Sequence, residues 1–169
     1  MRVSAEYGIP HIASGEILRA ELDAGTELGK RVKETIERGD LVSDDLMIEL
    51  IRSRLEQPDT EAGFVLDGFP RTIVQAEALD SMFADIGRNF SVAFALQIPD
   101  EVAFDRLRRR ARTDDTDEAI QRRLDNYHRE TEPLIEFYRT RGNVVPIHAN
   151  RSENEVFAEI QRALEQVPA

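Results

Sequence analysis

Short apolar runs alternate along the chain with stretches whose apolar residues recur at helical spacing. Phe64-Val65-Leu66, bounded by Gly63, reads as a short buried strand. Val92-Ala93-Phe94-Ala95-Leu96 is a nearly continuous apolar run, as expected of a parallel strand covered on both faces. Val144-Val145-Pro146-Ile147 predicts a last strand, with Pro146 pointing to an edge position. A brief strand is expected near Ile12, ahead of a helix capped by Ser14 and carried by Ile17, Leu18 and Leu22 to Gly25. Thr26 opens a second helix ending at Gly39. Ser43, with Asp44 and Asp45 in its first turn, opens a third through Leu55. Thr72 with Gln75, and Ser152 with Glu155, form the spacing of capping boxes at two more helix starts. Asp100 caps another helix, and a long helix over 116–138 places Ile120, Leu124, Tyr127, Thr131, Leu134 and Tyr138 on one face, with a kink at Pro133. Tyr127 and Tyr138 read as core or boundary residues.

Composition narrows the class. A chain of 169 residues is one domain by prior, with a full core. It has no Cys, which excludes disulfides and thiolate metal sites within it. No apolar run reaches the length of a membrane span, and Met1-Arg2-Val3-Ser4-Ala5-Glu6 lacks a signal-peptide pattern, so a soluble cytoplasmic protein is expected. The net charge of -11 argues against general nucleic-acid or anionic-membrane binding. Lys30 and Lys33 are the only lysines, so single arginines carry little weight while patterned clusters still count. His11, His128 and His148 share no metal-ligand spacing and are given no chemistry.

The chemistry gathers at two places. Asp67-Gly68-Phe69-Pro70-Arg71-Thr72 follows the first buried run, so a carboxylate and a guanidinium stand at a strand's carboxyl end, where open α/β sheets bind ligands. Arg106, Arg108, Arg109, Arg110 and Arg112 then fall within seven residues, followed by Asp114 and Asp115, and by Arg122 and Arg123 in the next helix. Such a run also suits a solvated helix end or the helix macrodipole.

Asp67-Gly68-Phe69-Pro70-Arg71-Thr72 with Gln75 closely resembles the signature of adenylate kinases, within the nucleoside monophosphate kinases. The likeness extends through Tyr7-Gly8-Ile9-Pro10, Ser14-Gly15, Leu18-Arg19 and Gly39-Asp40-Leu41-Val42-Ser43-Asp44. It continues through Arg106, Arg110, Arg112, Asp114, Asp115, Arg123, Leu124 and Tyr127. The resemblance implies an α/β fold of the P-loop-kinase type, a parallel sheet between helices in three layers. It places a helical insertion for the monophosphate at about 13–42 and a lid at about 106–116 in a single domain over 1–169. Only Ala111 separates Arg110 from Arg112, which matches the short-lid form.

By the same resemblance, the activity is conversion of ATP and AMP to two ADP with Mg²⁺. Ser14 and Gly15 lie near adenine and ribose, Arg19 and Arg71 hold the AMP phosphate, Val42 lines the base pocket, Gly68 is a further substrate-binding position, and Gln75 reads the adenine. Arg106, Arg112 and Arg123 draw in the donor phosphates, Arg110 flanks the donor adenine, and Asp67 acts on the Mg²⁺ water shell.

The family's opening strand, its Gly-x-x-x-x-Gly-Lys-Ser/Thr phosphate loop and most of its first helix find no counterpart, since Met1-Arg2-Val3 leads straight to Ser4-Ala5-Glu6-Tyr7. The missing strand is central, so the strands at Val65 and Val92 face a gap. They are expected to move together into a four-stranded sheet within a monomer, or to pair between two copies, in preference to leaving the gap. Turnover is expected to be impaired. A catalytically inactive AMP- or ADP-binding module and a structural remnant of the kinase fold stay open as alternatives.

Overall fold

A computed structural model describes residues 2–88, 90–142 and 144–167. The helix α1 spans Arg2–Tyr7, a segment whose one buried residue is Val3. Strand β1 (His11–Ala13) leads without a gap into α2 (Ser14–Asp23), followed by α3 (Glu27–Arg38) and α4 (Asp44–Leu55). Strand β2 is Val65–Asp67, α5 is Ile73–Asp85 and β3 is Ala93–Gln97. Then come α6 (Asp100–Arg110), α7 (Asp117–Asn126), α8 (Pro133–Arg139), β4 (Val144–His148) and α9 (Glu153–Leu164).

The local chemistry sets these boundaries. Thr26 accepts the Gly29 amide at the start of α3, and Gly39 closes it in the left-handed conformation at φ 79°. Ser152 and Glu155 complete the capping box of α9 as expected. At α5 only half of the expected box forms. Thr72 accepts the Gln75 amide, while the Gln75 side chain reaches past Thr72 to the backbone N–H of Arg71. Ser14 likewise does not cap α2: its hydroxyl donates to the Gly68 carbonyl and Ala13 holds the cap position.

The long helix expected over 116–138 is three pieces. Pro133 has no N–H to return to the preceding turn. Just before it the backbone widens into a π-helical turn over Tyr127–Thr131, with Glu132 N donating to Tyr127 O at 2.8 Å. Tyr138 is buried as expected, but Tyr127 is 38% exposed and is no core residue.

Strands β1 and β2 pair in parallel, with Ala13 opposite Asp67, and β3 and β4 pair in parallel, with Ala95 opposite Pro146. Pro146 sits on an outer strand, where its missing N–H costs no ladder bond. The expected closure into one four-stranded sheet does not occur; the described residues form two separate two-stranded sheets. Side chains hold the halves together instead. Val65 of β2 and Phe94 of β3 pack in one cluster with Val3, Ile147 and Ile160. A row of rings, Phe64, Phe83, Phe90 and Tyr138, runs from one half to the other at centroid spacings of 5.9, 6.2 and 5.0 Å. Closing the sheets by one strand spacing, about 4.8 Å, would have to displace these packed side chains.

A third contact joins the end of α3 to α7. A Cβ on Gly39 would lie 2.4 Å from the Ala119 carbonyl oxygen, and Asn126 Nδ2 donates to the Gly39 carbonyl at 3.2 Å. Beside them Arg122 meets Asp40 at 3.4 Å.

Candidate active site

The strand ends, the α2–α3 pair and the α6–α7 turn enclose a cleft of about 370 Å³. Asp67 ends β2. After it Gly68 takes φ 74°, and a Cβ there would come within 2.8 Å of both Arg71 Nη2 and Ser14 Oγ. Only glycine lets those two side chains close over this turn. The Gly68 carbonyl accepts Ser14 Oγ at 2.8 Å and Arg71 Nε at 2.8 Å, drawing the start of α2 and the Arg71 guanidinium together. Arg71 is fixed at its backbone too. Its N–H donates to Gln75 Oε1 at 2.7 Å, and its carbonyl accepts Thr131 Oγ1 at 3.0 Å from the π-helical turn.

Opposite stands the short turn after α6. Ala111 takes the left-handed conformation at φ 53°, which reverses the chain immediately after Arg110. Arg110 forks onto Asp115 with Nε and Nη2 at 2.9 and 2.8 Å, and the Arg112 N–H adds a bond to the same carboxylate at 3.1 Å. Arg123, one helix on, spans Asp115 and Asp114 and also donates to the Asp114 carbonyl. The Asp115 side chain is fully covered. Its burial alone would raise its pKa, but the Arg110, Arg123 and Arg112 hydrogen bonds outweigh that and hold it at about 2. A carboxyl depressed this way adds stability that is complete above its ordinary range and drains away as pH falls from about 4 toward 2. Asp115→Asn is expected to cost about 2 kcal/mol at neutral pH. In urea titrations at stepped pH the variant and parent should converge at the acid end; a gap that persists at pH 2 would refute this.

Arg19, Arg71 and Arg112 complete the cleft, and none of the three makes a carboxylate ion pair among the described residues. Desolvation lowers the pKa of Arg19, with Arg112 and Arg110 repelling it further. Desolvation likewise lowers Arg71, with Arg123 and Arg19 adding to the effect. Guanidiniums gathered in a partly dry cleft form a ready site for anions, against a chain charge of -11. The lining also carries apolar side chains, Leu18, Ile36, Val42, Met47 and Leu107.

Eleven of the residues singled out by sequence line this one cleft: Ser14, Gly15, Arg19, Val42, Asp67, Gly68, Arg71, Gln75, Arg110, Arg112 and Arg123. Arg106 does not; its Nη1 donates to the Ala149 carbonyl at 3.0 Å, tying α6 to the end of β4. His11 had been passed over. Its Nε2 lies 3.0 Å from Asp67 Oδ2, a meeting set by the β1–β2 register. The alternation that puts His11 and Ala13 on one face was readable, but the strand opposite was not.

A parallel α/β fold with an arginine-lined cleft at its strand ends defines a nucleotide-binding phosphotransferase class. A family model described as "Adenylate kinase" matches residues 1–143. Curated adenylate kinases agree. The protein of Phocaeicola vulgatus is 42% identical over 170 residues, covering 98% of this chain and 90% of its own length. That of Acetivibrio thermocellus is 35% identical over 196 residues at the same coverage. That of a Cyanothece species is 43% identical over 163 residues, covering 94% and 84%. The chain belongs to the adenylate kinase family, and is a kinase-type transferase acting on nucleoside monophosphates. No described helix is long and apolar enough to cross a membrane.

Proposed function

We propose that the chain catalyses phosphoryl transfer between ATP and AMP, giving two ADP, in this cleft. The observation that carries the proposal is the convergence of Arg19, Arg71 and Arg112, unpaired by carboxylates among the described residues, beside the clamped Arg110 and Arg123. Phosphoryl transfer asks little covalent chemistry of a protein; alignment and charge neutralisation supply most of the rate. Arg19 and Arg71 hold the acceptor phosphate, with the base against Val42 and Gln75 and the ribose near Ser14 and Gly15. Arg112 and Arg123 meet the donor phosphates, and Arg110 flanks the donor base. Arg106 anchors α6 and reaches the phosphates only if α6 turns.

Residues 13–42 act as the monophosphate-binding insertion and 106–116 as a short lid. The alignment with the Acetivibrio relative runs over 196 positions against 169 residues here, which supports a form with a segment fewer.

Family membership implies Mg²⁺ carried with the nucleotide. Among the described residues no three His, Asp or Glu side chains gather to hold an ion. The donor set fits an ion carried by phosphate oxygens and water. Asp67, exposed at the cleft rim and touching His11, orients that water shell. Within the 169 residues, the cations of the cleft that face the donor side are Arg110, Arg112 and Arg123.

A coupled assay for ADP formation, with AMP and ATP titrations beside it, tests the proposal. Transfer abolished by EDTA supports it. Binding of AMP without transfer would favour a binding module, and no binding at millimolar AMP would overturn the site. Arg71→Ala is expected to weaken AMP binding by about 1.5–3 kcal/mol, the range for hydrogen bonds to a charged group. An unchanged calorimetric Kd would remove Arg71 from the acceptor site.

A further inference from the structure

Gln75 is 2% exposed, yet it lines the cleft, and both ends of its amide are already engaged from behind. Oε1 accepts the Arg71 backbone N–H at 2.7 Å, and Nε2 donates to Asp44 Oδ1 at 2.8 Å. An N–H can only donate and a carboxylate can only accept, so one orientation of the amide satisfies both partners. The flipped amide would set N–H against N–H and carbonyl against carboxylate. Asp44 is itself fixed: the same Oδ1 accepts Thr72 Oγ1 at 3.0 Å, and Thr72 is the cap of the helix that carries Gln75. Asp44 does not line the cleft, so its effect on a bound base passes through Gln75.

We propose that Asp44 is a positioning residue that locks the Gln75 amide in one orientation and thereby sets the chain's preference for adenine over 6-oxopurines at the acceptor site. The proposal rests on the acceptor base meeting Gln75. After its two rear bonds the amide retains one N–H and one oxygen lone pair, side by side. Adenine offers a donor at its 6-position and an acceptor at N1, whereas hypoxanthine and guanine offer an acceptor at the 6-position and a donor at N1. An amide that fits one pattern must turn over to fit the other. In this chain that turn breaks both rear hydrogen bonds and faces like groups toward each other. Without Asp44 only the Arg71 N–H resists it.

Binding of AMP and of IMP to the chain, measured by calorimetry for the parent and three variants, tests this without requiring turnover. Asp44→Ala is expected to reduce the AMP-over-IMP preference about tenfold, through weaker AMP binding and stronger relative IMP binding. Asp44→Asn, whose amide can turn to present either an oxygen or an N–H to Gln75, is expected to lose most of the preference as well. Asp45→Ala removes the neighbouring first-turn acid, which has no bond to Gln75, and is expected to change nothing. Thermal midpoints of all three confirm that each is folded. If the parent binds AMP and Asp44→Ala keeps the parent's preference, the lock is refuted while the acceptor site stands. Equal losses in Asp44→Ala and Asp45→Ala would assign the effect to the charge at the α4 start and refute the lock as well. So would an Asp44→Asn variant that keeps the parent's full preference. A parent that binds no AMP overturns the acceptor site and this inference together.

Discussion

Joining a strand, a Gly-x-x-x-x-Gly-Lys-Ser/Thr loop and a helix ahead of Ser4 is expected to raise turnover by about 10²–10³-fold, the effect of one well-placed donor at a transition-state charge. The thermal midpoint should rise with it. Strands β2 and β3 each pair on one side only among the described residues, and they approach each other through Val65 and Phe94 without ladder bonds. An inserted strand would have to move the packed Val65 and Phe94 side chains aside, and in exchange would complete both ladders. At about 1 kcal/mol net for each of several new hydrogen bonds, and about 2–4 °C per kcal/mol for a domain of this size, the gain is on the order of 10 °C. The rate gain has a separate cause. Loop amides and a lysine would hold the donor phosphates directly, in addition to the arginines that line the cleft. Calorimetric melts and a coupled assay on grafted and ungrafted chains measure both. A graft that folds and melts higher yet transfers no faster would show that the arginines alone carry the chemistry.

Arg123→Ala is expected to lower turnover about 10²–10³-fold as well, and to lower stability by about 2–3 kcal/mol. Arg123 is bonded to both acids of the turn and also faces the cleft. Its loss leaves the covered Asp115 with Arg110 and one backbone amide, and Asp114 without its guanidinium. Arg123→Lys separates the two losses. A lysine supplies the charge but not the two-pronged fork, so it should recover part of the rate and little of the turn's rigidity. Full recovery of both would mean that the fork is irrelevant, and an unaffected Arg123→Ala would remove the residue from the mechanism.

Much of this was legible in the sequence because it is local. The caps at Thr26, Thr72 and Ser152, the stop at Gly39 and the apolar faces depend on residues a few positions apart. The family pattern carried the cleft residues, since each falls at a fixed offset within a short motif. What escaped was long-range or depended on competition. Ser14 reads as a cap because hydroxyls commonly cap, but its hydroxyl donates to the Gly68 carbonyl, fifty-four residues away. The amide of Gln75 went to Arg71 and Asp44 for the same kind of reason. His11 met Asp67 through a strand register that no local pattern encodes. The split sheet is not legible because ladder bonds alone favour closure, whereas rings and aliphatic groups far apart in the chain pack between the two halves.

Gly39 has a further consequence. It ends α3 beside the cleft, and a Cβ there would run into the Ala119 carbonyl of the helix that carries Arg123. We propose that residues 13–42 and the turn ending α6 close over the nucleotides as two flaps, and that this contact, acting through α7 next to that turn, is a mechanical stop on both. A single methyl, in Gly39→Ala, would act as a wedge. It is expected to raise the KM values for acceptor and donor together, although neither nucleotide's phosphates lie at that residue; a change in one KM alone would show that the flaps move independently.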